Sequence, residues 1–390
     1  MITVDSALAK LFTLVKPPEK ETVSLREAAG RVLMDDAIAT RDQPPFPASA
    51  MDGYAIAPSD PAPGDSFTII GEAAAGHAFP GRIQSQEAVR IFTGAPLPEG
   101  ARRVIIQEDV TREADRITLK KNLDPKAYIR PAGTDFRAGS RLTAPRRLTP
   151  QDVALLAAMN LATVPVARRP EVALISTGDE LVMPGDTPGP DQIIASNTFG
   201  LAAMLDAEGA RTRILPIAPD TPEDLAHLLE MAHGADLIVT IGGASVGDHD
   251  LVGQVAQDMG LDRAFYKIAM RPGKPLMAGR IGEALMIGLP GNPVSAMVCG
   301  TIFLRPLLRA MQGLPAVPMP RRQATLTSPL PPNGPREHYM RAQLLDAGIA
   351  AFERQDSALL TVLQQANALL IRPIADPARA AGETVDYIPL

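Results

Sequence analysis

Apolar positions over residues 4–15 (Val4, Ala7, Leu8, Leu11, Phe12 and Val15) recur at helical spacing and mark one stripe. Ser24-Leu25-Arg26-Glu27 then fits a capping box, with Gly30 placed to stop a short helix, so the pattern predicts two opening helices. From about 37 to 144 the texture changes to short alternating segments between Pro, Gly and Asp, such as 65–71, 87–92 and 103–108, which predicts a β-rich module. Helical signals return at Thr149-Pro150-Gln151-Asp152, where Thr suits the N-cap, Pro the first helical position and Asp the positive helix end. The simplest account inserts a β domain, 47–139, into a helical framework made of 1–46 and 140–168; a separate helical segment is the alternative. Strand and helix patterns alternate over 171–311, which predicts a mostly parallel sheet covered on both faces, a domain spanning 169–314. Beyond a Pro-rich link at 315–320, segments 322–326, 338–345 and 368–372 are bounded by turn residues and predict a small C-terminal β domain, 315–390. The fold class is therefore multidomain α/β plus β.

Four turns fall on one predicted edge of the central sheet, outside the carboxyl ends of its strands, where such sheets collect ligands. Ser176-Thr177-Gly178-Asp179-Glu180-Leu181 places two carboxylates there, suited to a hard cation such as Mg2+, although acidic pairs in turns are commonly just solvated. Gly242-Gly243-Ala244-Ser245-Val246-Gly247-Asp248-His249-Asp250 combines glycines that permit close backbone approach with two more acids, Asp248 and Asp250. Its spacing fits neither G-x-G-x-x-G nor a P-loop, which disfavours a standard dinucleotide or nucleotide site. Arg271-Pro272-Gly273-Lys274-Pro275 fixes two cations in a rigid turn that suits an oxyanion, or is a plain solvent turn. In Leu289-Pro290-Gly291-Asn292-Pro293-Val294-Ser295, Asn292 can cap, Pro293 can open a helix and Gly291 can give a ligand clearance, yet capping alone would explain each residue. Convergence of the four turns favours an anion site with a divalent metal. The β module carries its own Pro-rich run at 44–55 and a second at 92–98, which would hold Ser49, Asp52 or Thr93 at little ordering cost, or form a structural loop only.

Composition narrows this picture. The chain of 390 residues is 46% apolar and 21% charged, ordinary for a soluble globular protein, and too long for one core. A net charge of −6 argues against nucleic-acid and anionic-membrane partners, so an anionic small substrate must be held by local cations and backbone dipoles. The lone Cys299 rules out an internal disulfide and multi-Cys metal sites, and its apolar surroundings suit a buried filler. No transmembrane span or signal peptide is expected, which points to a cytoplasmic location.

SAMDGYA at 49–55, FTGAPLP at 92–98, STGDEL at 176–181, SVGDHD at 245–250, PGKP at 272–275 and LPGNPVSA at 289–296 stand in an order that closely resembles the molybdopterin molybdenumtransferase family, MoeA in bacteria and the gephyrin E domain in animals. The resemblance covers essentially the whole chain. It implies a helical dimerisation framework, an inserted β domain, a three-layer αβα molybdopterin-binding-type domain and a C-terminal β barrel, in a homodimer whose cleft joins the αβα domain of one subunit to the β domain of the other. It further implies a transferase that takes adenylylated molybdopterin and molybdate, with Mg2+, and yields molybdenum cofactor and AMP. Carried over position by position, Asp179, Glu180 and Asp250, with Asp248 beside them, match the metal and pyrophosphate side. Arg271, Lys274, Pro290 and Pro293 match the oxyanion and pterin-phosphate side, with Thr177, Gly178, Gly243, Ser245, Gly247, Gly291, Asn292 and Ser295 contributed by the same turns. Asp52, Thr93 and Asp135, with Ser49, match the β-domain face, and Ser196 and Asn197 the pterin pocket. Arg341 and Ser357 correspond to C-terminal site residues. Two departures stand out: Arg271 where many members carry Lys, and Asp356 in a stretch that tends to read Gln-Gly-Ser. A related molybdopterin adenylyltransferase, which needs only an αβα domain, and a scaffold for partner peptides are the alternative readings. Such an adenylyltransferase and apo molybdoenzymes are the expected protein partners.

Overall fold

A computed structural model describes residues 1–243 and 251–390. Helix α1, Val4–Thr13, forms on the predicted stripe, with Thr3 capping through Ser6 N. Its apolar face packs Val4, Leu8 and Leu11 into the core of the central sheet domain, and Ile2 bridges to Ile268. This corrects the assignment of the first residues to a helical framework, because the stripe finds its largest apolar partner in the αβα domain. The framework itself holds more strand than expected. Lys20–Ser24 pairs with Thr163–Ala167, which meets Val32–Leu33, and Arg146–Arg147 completes four strands. Both long strands carry threonine and valine, and β-branched side chains of this kind favour pairing over a second helix. Only the short α2, Leu25–Ala28, follows; Ser24 Oγ donates to the Glu27 carboxylate instead of capping a backbone N–H, so the box forms on one side only. Helix α3, Pro150–Ala158, opens on the full capping box, with Thr149 and Asp152 exchanging backbone bonds, worth about 1 kcal/mol. Leu33, Leu148, Leu156, Val164 and Val166 close this small core.

The inserted domain is a six-stranded sheet in the order Arg103–Ile106, Gly53–Ile56, Glu87–Ile91, Ser66–Ala73, Arg116–Leu119, Val110–Glu113. Alternate residues of its strands feed two small cores, one around Tyr54, Ile56 and Phe67 and the other around Ala55, Val89 and Val104.

The central domain is the predicted three-layer αβα unit. Its sheet runs Arg211–Ile214, Glu171–Ser176, Leu237–Ile241, Ala284–Leu289, Met277–Ile281, Asp262–Tyr266; the first four strands are parallel and the last two antiparallel. Every residue of Leu237–Ile241 and Ala284–Leu289 is buried, as both-face coverage demands. Helix α4, Asn197–Ala207, lies on one face; α5, Pro222–Met231, and α6, Leu251–Asp258, cover the other. Helix α7, Pro293–Cys299, continues through a π segment, Gly300–Leu304, into α8, Arg305–Met311. This continuous helix is long and apolar enough to pass for a membrane span by length and composition, yet 78% of its apolar window is buried against the sheet. Cys299, at 0% exposure, is the filler expected, and burial pushes its thiol up.

The C-terminal domain carries the strand path Glu337–Leu345, Ala368–Arg372, Thr384–Pro389, Arg322–Thr325, with Gly348–Ala351 on the other side of the first strand. Leu326 bridges to Ile349, joining the two ends as a barrel requires. Helix α9, Leu360–Gln365, sits outside. A further short strand, Met270–Arg271, is lent by the central domain and runs parallel to Glu337–Leu345. Tyr339, Leu369, Ile371 and Ile388 then join the core of the central domain, while Leu326, Ala342, Ile349, Leu370 and Tyr387 belong to a separate core inside the C-terminal sheet.

Candidate functional site

Three predicted turns are hooked together at the carboxyl edge of the sheet. Thr177 N donates to Ile241 O at 3.0 Å and Gly242 N to Leu289 O at 3.1 Å, so the turns after neighbouring strands carry one another. At Gly242, φ is +92° and a Cβ would lie 2.7 Å from Thr177 O, so only glycine fits this crossing. A Cβ on Gly291 would meet Gly242 Cα at 3.4 Å, and Asn197 Nδ2 donates to Gly291 O at 2.7 Å, which brings the start of α4 to the same place. Ser196 sits beside it, half-buried. Thr177 Oγ1 is buried without a hydrogen-bond partner among the described residues. Gly243 also lies at this crossing, whereas Ser245, Gly247, Asp248 and Asp250 lie outside the described residues.

On the acidic side, Asp179 and Glu180 are exposed, and Asp179 Oδ1 accepts from Asp220 N at 3.0 Å. Asp220 completes a carboxylate group that sequence reasoning missed. Its signal was position, since it follows the strand Arg211–Ile214 at the same functional edge. Burial, then the charges of Asp179 and Glu180, push its carboxyl above the usual range. That shift is the mark of under-neutralised negative charge and hard oxygen donors, which fit a divalent cation. Among the described residues no group of three such side chains is near enough to hold one by itself.

On the cationic side the C-terminal domain closes over the start of α7. Val294 N donates to Ser357 O at 3.0 Å, and Arg341 Nη2 donates to Asp356 O at 3.0 Å. Gln355 and Arg341 exchange two further bonds. Asp356 takes part through its backbone carbonyl, so the departure from glycine does not keep this segment out of the site. Arg341 is 0% exposed, and its Nε and Nη1 find no partner among the described residues. Burial, and next the charge of Arg271, press its guanidinium down, while Asp356 opposes them. A buried guanidinium with open donors is costly unless an anion answers it. Arg271 is exposed and Lys274 half-buried on the cationic turn. Pro290 is buried and Pro293 opens α7, but Asn292 makes no side-chain capping bond, and Ser295 is buried in the first turn.

His338 was also missed, and the strand Glu337–Leu345, buried at consecutive positions and not alternately, offered no periodic signal for it. It pairs in register with Arg271 on one side and Arg372 on the other, and its Nε2 is buried without a partner among the described residues. Burial, then Arg271, Arg341, Arg336 and Arg372, depress its imidazole to about 4. The unfolded chain protonates it near 6.5, so its contribution is full above that pH and is lost as pH falls toward 4. Acidification over that window should cost the native state about 3 kcal/mol, and His338→Leu should flatten this part of the curve. Denaturant melts at several pH values measure it; an unchanged acid limb in the variant would remove the assignment.

The β-domain residues form a separate group. Asp52 Oδ1 accepts from Thr93 N and Oγ1, both at 2.8 Å, and these bonds hold its carboxyl below the usual range. Asp135 is exposed, its N–H bonded to Gln43 O. Ser49 is buried and donates to Met51 O at 2.6 Å, so it shapes the turn rather than facing a ligand, a correction to its expected role. No hydrogen bond or ion pair among the described residues ties Asp52, Thr93 or Asp135 to the edge of the central sheet.

Comparison with known proteins follows the same domain order. Residues 2–160 match the family described as MoeA N-terminal region (domain I and II), 173–310 the probable molybdopterin binding domain, and 323–390 the MoeA C-terminal region (domain IV). The chain is 38% identical over 317 residues to the molybdopterin molybdenumtransferase of Haemophilus influenzae, covering 80% of this chain and 78% of that protein. It is 34% identical to the protein of that name from Nostoc, over 94% of this chain and 88% of the relative. A solved molybdopterin biosynthesis moeA protein from Pyrococcus horikoshii superposes with a TM-score of 0.85 at 27% identity, covering both chains entirely.

Proposed function

The chain belongs to the molybdopterin molybdenumtransferase (MoeA) family, and from that premise we propose that it inserts molybdate into adenylylated molybdopterin, with Mg2+, releasing AMP to give molybdenum cofactor in the cytoplasm. The observation that carries the anionic half of this reading is Arg341, a fully buried guanidinium with two open donors beside Arg271 and the start of α7. An oxyanion such as molybdate would answer an open donor of this kind with a charge-assisted hydrogen bond. Asp179, Glu180 and Asp220 would hold the cation on the opposite side, with Asp248 and Asp250 of the neighbouring turn. Bound there, the metal neutralises charge on the phosphoanhydride. This chain's own residues position the two ends: cations and backbone N–H groups hold the acceptor oxyanion, and the crossed glycine turns let the phosphates approach the backbone. Cleavage of such a bond depends mainly on charge neutralisation and orientation.

The test is AMP release from adenylylated molybdopterin by the purified chain with Mg2+, with and without molybdate, together with activation of an apo molybdoenzyme. Molybdate-dependent AMP release with activation supports the reading, and absence of AMP release at intact pterin binding defeats it.

A homodimer completes the site in this reading. Support comes from the separation of the Asp52–Thr93 pair from the central edge, and from the exposed apolar side chains Phe199, Ile193, Ile194 and Met183 on α4 and the loop before it. Asp52→Ala and Glu180→Ala chains, each strongly impaired alone, should regain activity when mixed and reassembled, because one cleft of the mixed dimer then has both faces intact. Mixing that restores nothing, with hybrid dimers verified by mass, would place both faces in one subunit.

A further inference from the structure

A cavity of about 510 Å3 lies between α4, the α7 to α8 helix and α9, with Ser196 and Asn197, the residues matched above to the pterin pocket, among its lining. Its size falls within the roughly 300–1,000 Å3 of small-molecule sites. The walls are mainly aliphatic: Met204 and Met297 share them with Leu360 and Leu363, Ser196 and Gln364 add polar side chains, and no aromatic ring among the described residues lines the space. Asn197 lies at the rim that adjoins Gly291, its amide already donating there. Along the wall the helix loosens into the π segment Gly300–Leu304, a distortion that often marks binding sites. Thr301 on that segment donates to Met297 O at 3.0 Å, so its hydroxyl proton is occupied.

Arg305 is the one charged side chain at the wall, which the last residue, Leu390, also lines. It belongs to a group of three arginines around a single buried carboxylate. Glu208, 6% exposed, accepts from Arg305 Nε at 2.7 Å, Arg309 Nε at 3.2 Å and Arg147 Nη2 at 3.4 Å. Three cations against one anion leave a positive surplus. No hydrogen bond to either terminal nitrogen of Arg305 is found among the described residues.

We propose that this cavity binds an aliphatic monocarboxylate, its chain along the methionine and leucine walls and its head on the terminal nitrogens of Arg305. An aliphatic chain suits these walls better than a flat ring, because no aromatic side chain among the described residues lines the cavity to stack on one. From Met297 to Arg305 the helix rises about 12 Å, which suits a medium-length chain. The site is distinct from the anion pocket at Arg341, where the surroundings are polar and a compact oxyanion fits.

Decanoate and its uncharged counterpart decanol serve as probes in calorimetric titrations of the full chain. Saturable binding of one decanoate per chain is expected, with decanol weaker by about tenfold or more for want of the charged hydrogen bond. Arg305→Gln should erase that preference, and Leu360→Asp, at an exposed position of α9, should weaken decanoate by about tenfold or more through the lost apolar contact. Circular dichroism checks folding, and if Arg305→Gln fails to fold, Leu360→Asp and the decanol comparison decide. Absence of saturable decanoate binding, decanol binding equally well, or unchanged affinity in a folded variant would each overturn the assignment. None of these readings depends on AMP release, so the transfer reaction stands or falls separately.

Discussion

Arg341→Met is expected to lower molybdate-dependent turnover by roughly a hundredfold or more, the scale of losing a preorganised donor to a developing or bound oxyanion. The same change is expected to stabilise the protein in the absence of molybdate. In the native fold the guanidinium is buried, keeps one bond to Asp356 O and leaves Nε and Nη1 open. Each buried donor without a partner costs about 1–3 kcal/mol, and replacing a buried charge by an apolar side chain of similar volume often gains stability. Molybdate should therefore raise the melting temperature of the unaltered protein, as any ligand of the native state does, and leave that of the variant unmoved. A variant that melts lower and still turns over would show that Arg341 is a structural residue and would return the anion to Arg271 and Lys274.

The second large effect lies on the acidic side. Glu180→Ala is expected to lower turnover by about ten- to a hundredfold, in keeping with losses around bound metals, and to raise the Mg2+ concentration needed for half-maximal rate. Asp250→Ala should do the same if the neighbouring turn shares the cation. Gly178→Ala gives an independent handle on the same group. At Gly178 φ is +146°, and a Cβ there would lie 2.3 Å from the Glu180 carboxylate, so the added methyl must push that carboxylate away. The alanine variant should show the raised Mg2+ requirement with Glu180 still present. Unchanged Mg2+ dependence in both would separate these carboxylates from the metal.

The architecture of the central domain was legible because its inner strands, Leu237–Ile241 and Ala284–Leu289 above all, are buried on both faces and read as continuous apolar runs, and because each of these ends in a turn rich in Gly or Pro. Legibility failed where pairing depends on distant chain. Residues 20–24 look like the lead-in to a helix until 163–167 lies beside them, and the stripe of α1 does not say which core it will enter. Within the site, motifs pointed to Glu180 and Arg271, while Asp220 and His338 stand outside any motif. Asp220 is set by the end of an edge strand, and His338 by the register of a strand against Arg271, a pairing between segments more than sixty residues apart. Asp356 stands as a departure from the family's glycine, but the contact with Arg341 runs through its carbonyl, which residue type does not alter.

The short strand Met270–Arg271 ties the central domain to the C-terminal sheet, and Tyr339, Leu369, Ile371 and Ile388 sit in the same interior as the central strands. Heat should therefore melt these two units together, in one calorimetric peak, because neither can open without exposing the other's interior. An oxyanion pocket built across that seam keeps its shape until the whole seam gives way, and a chain shortened before the C-terminal domain would present a raw apolar face in place of half a protein.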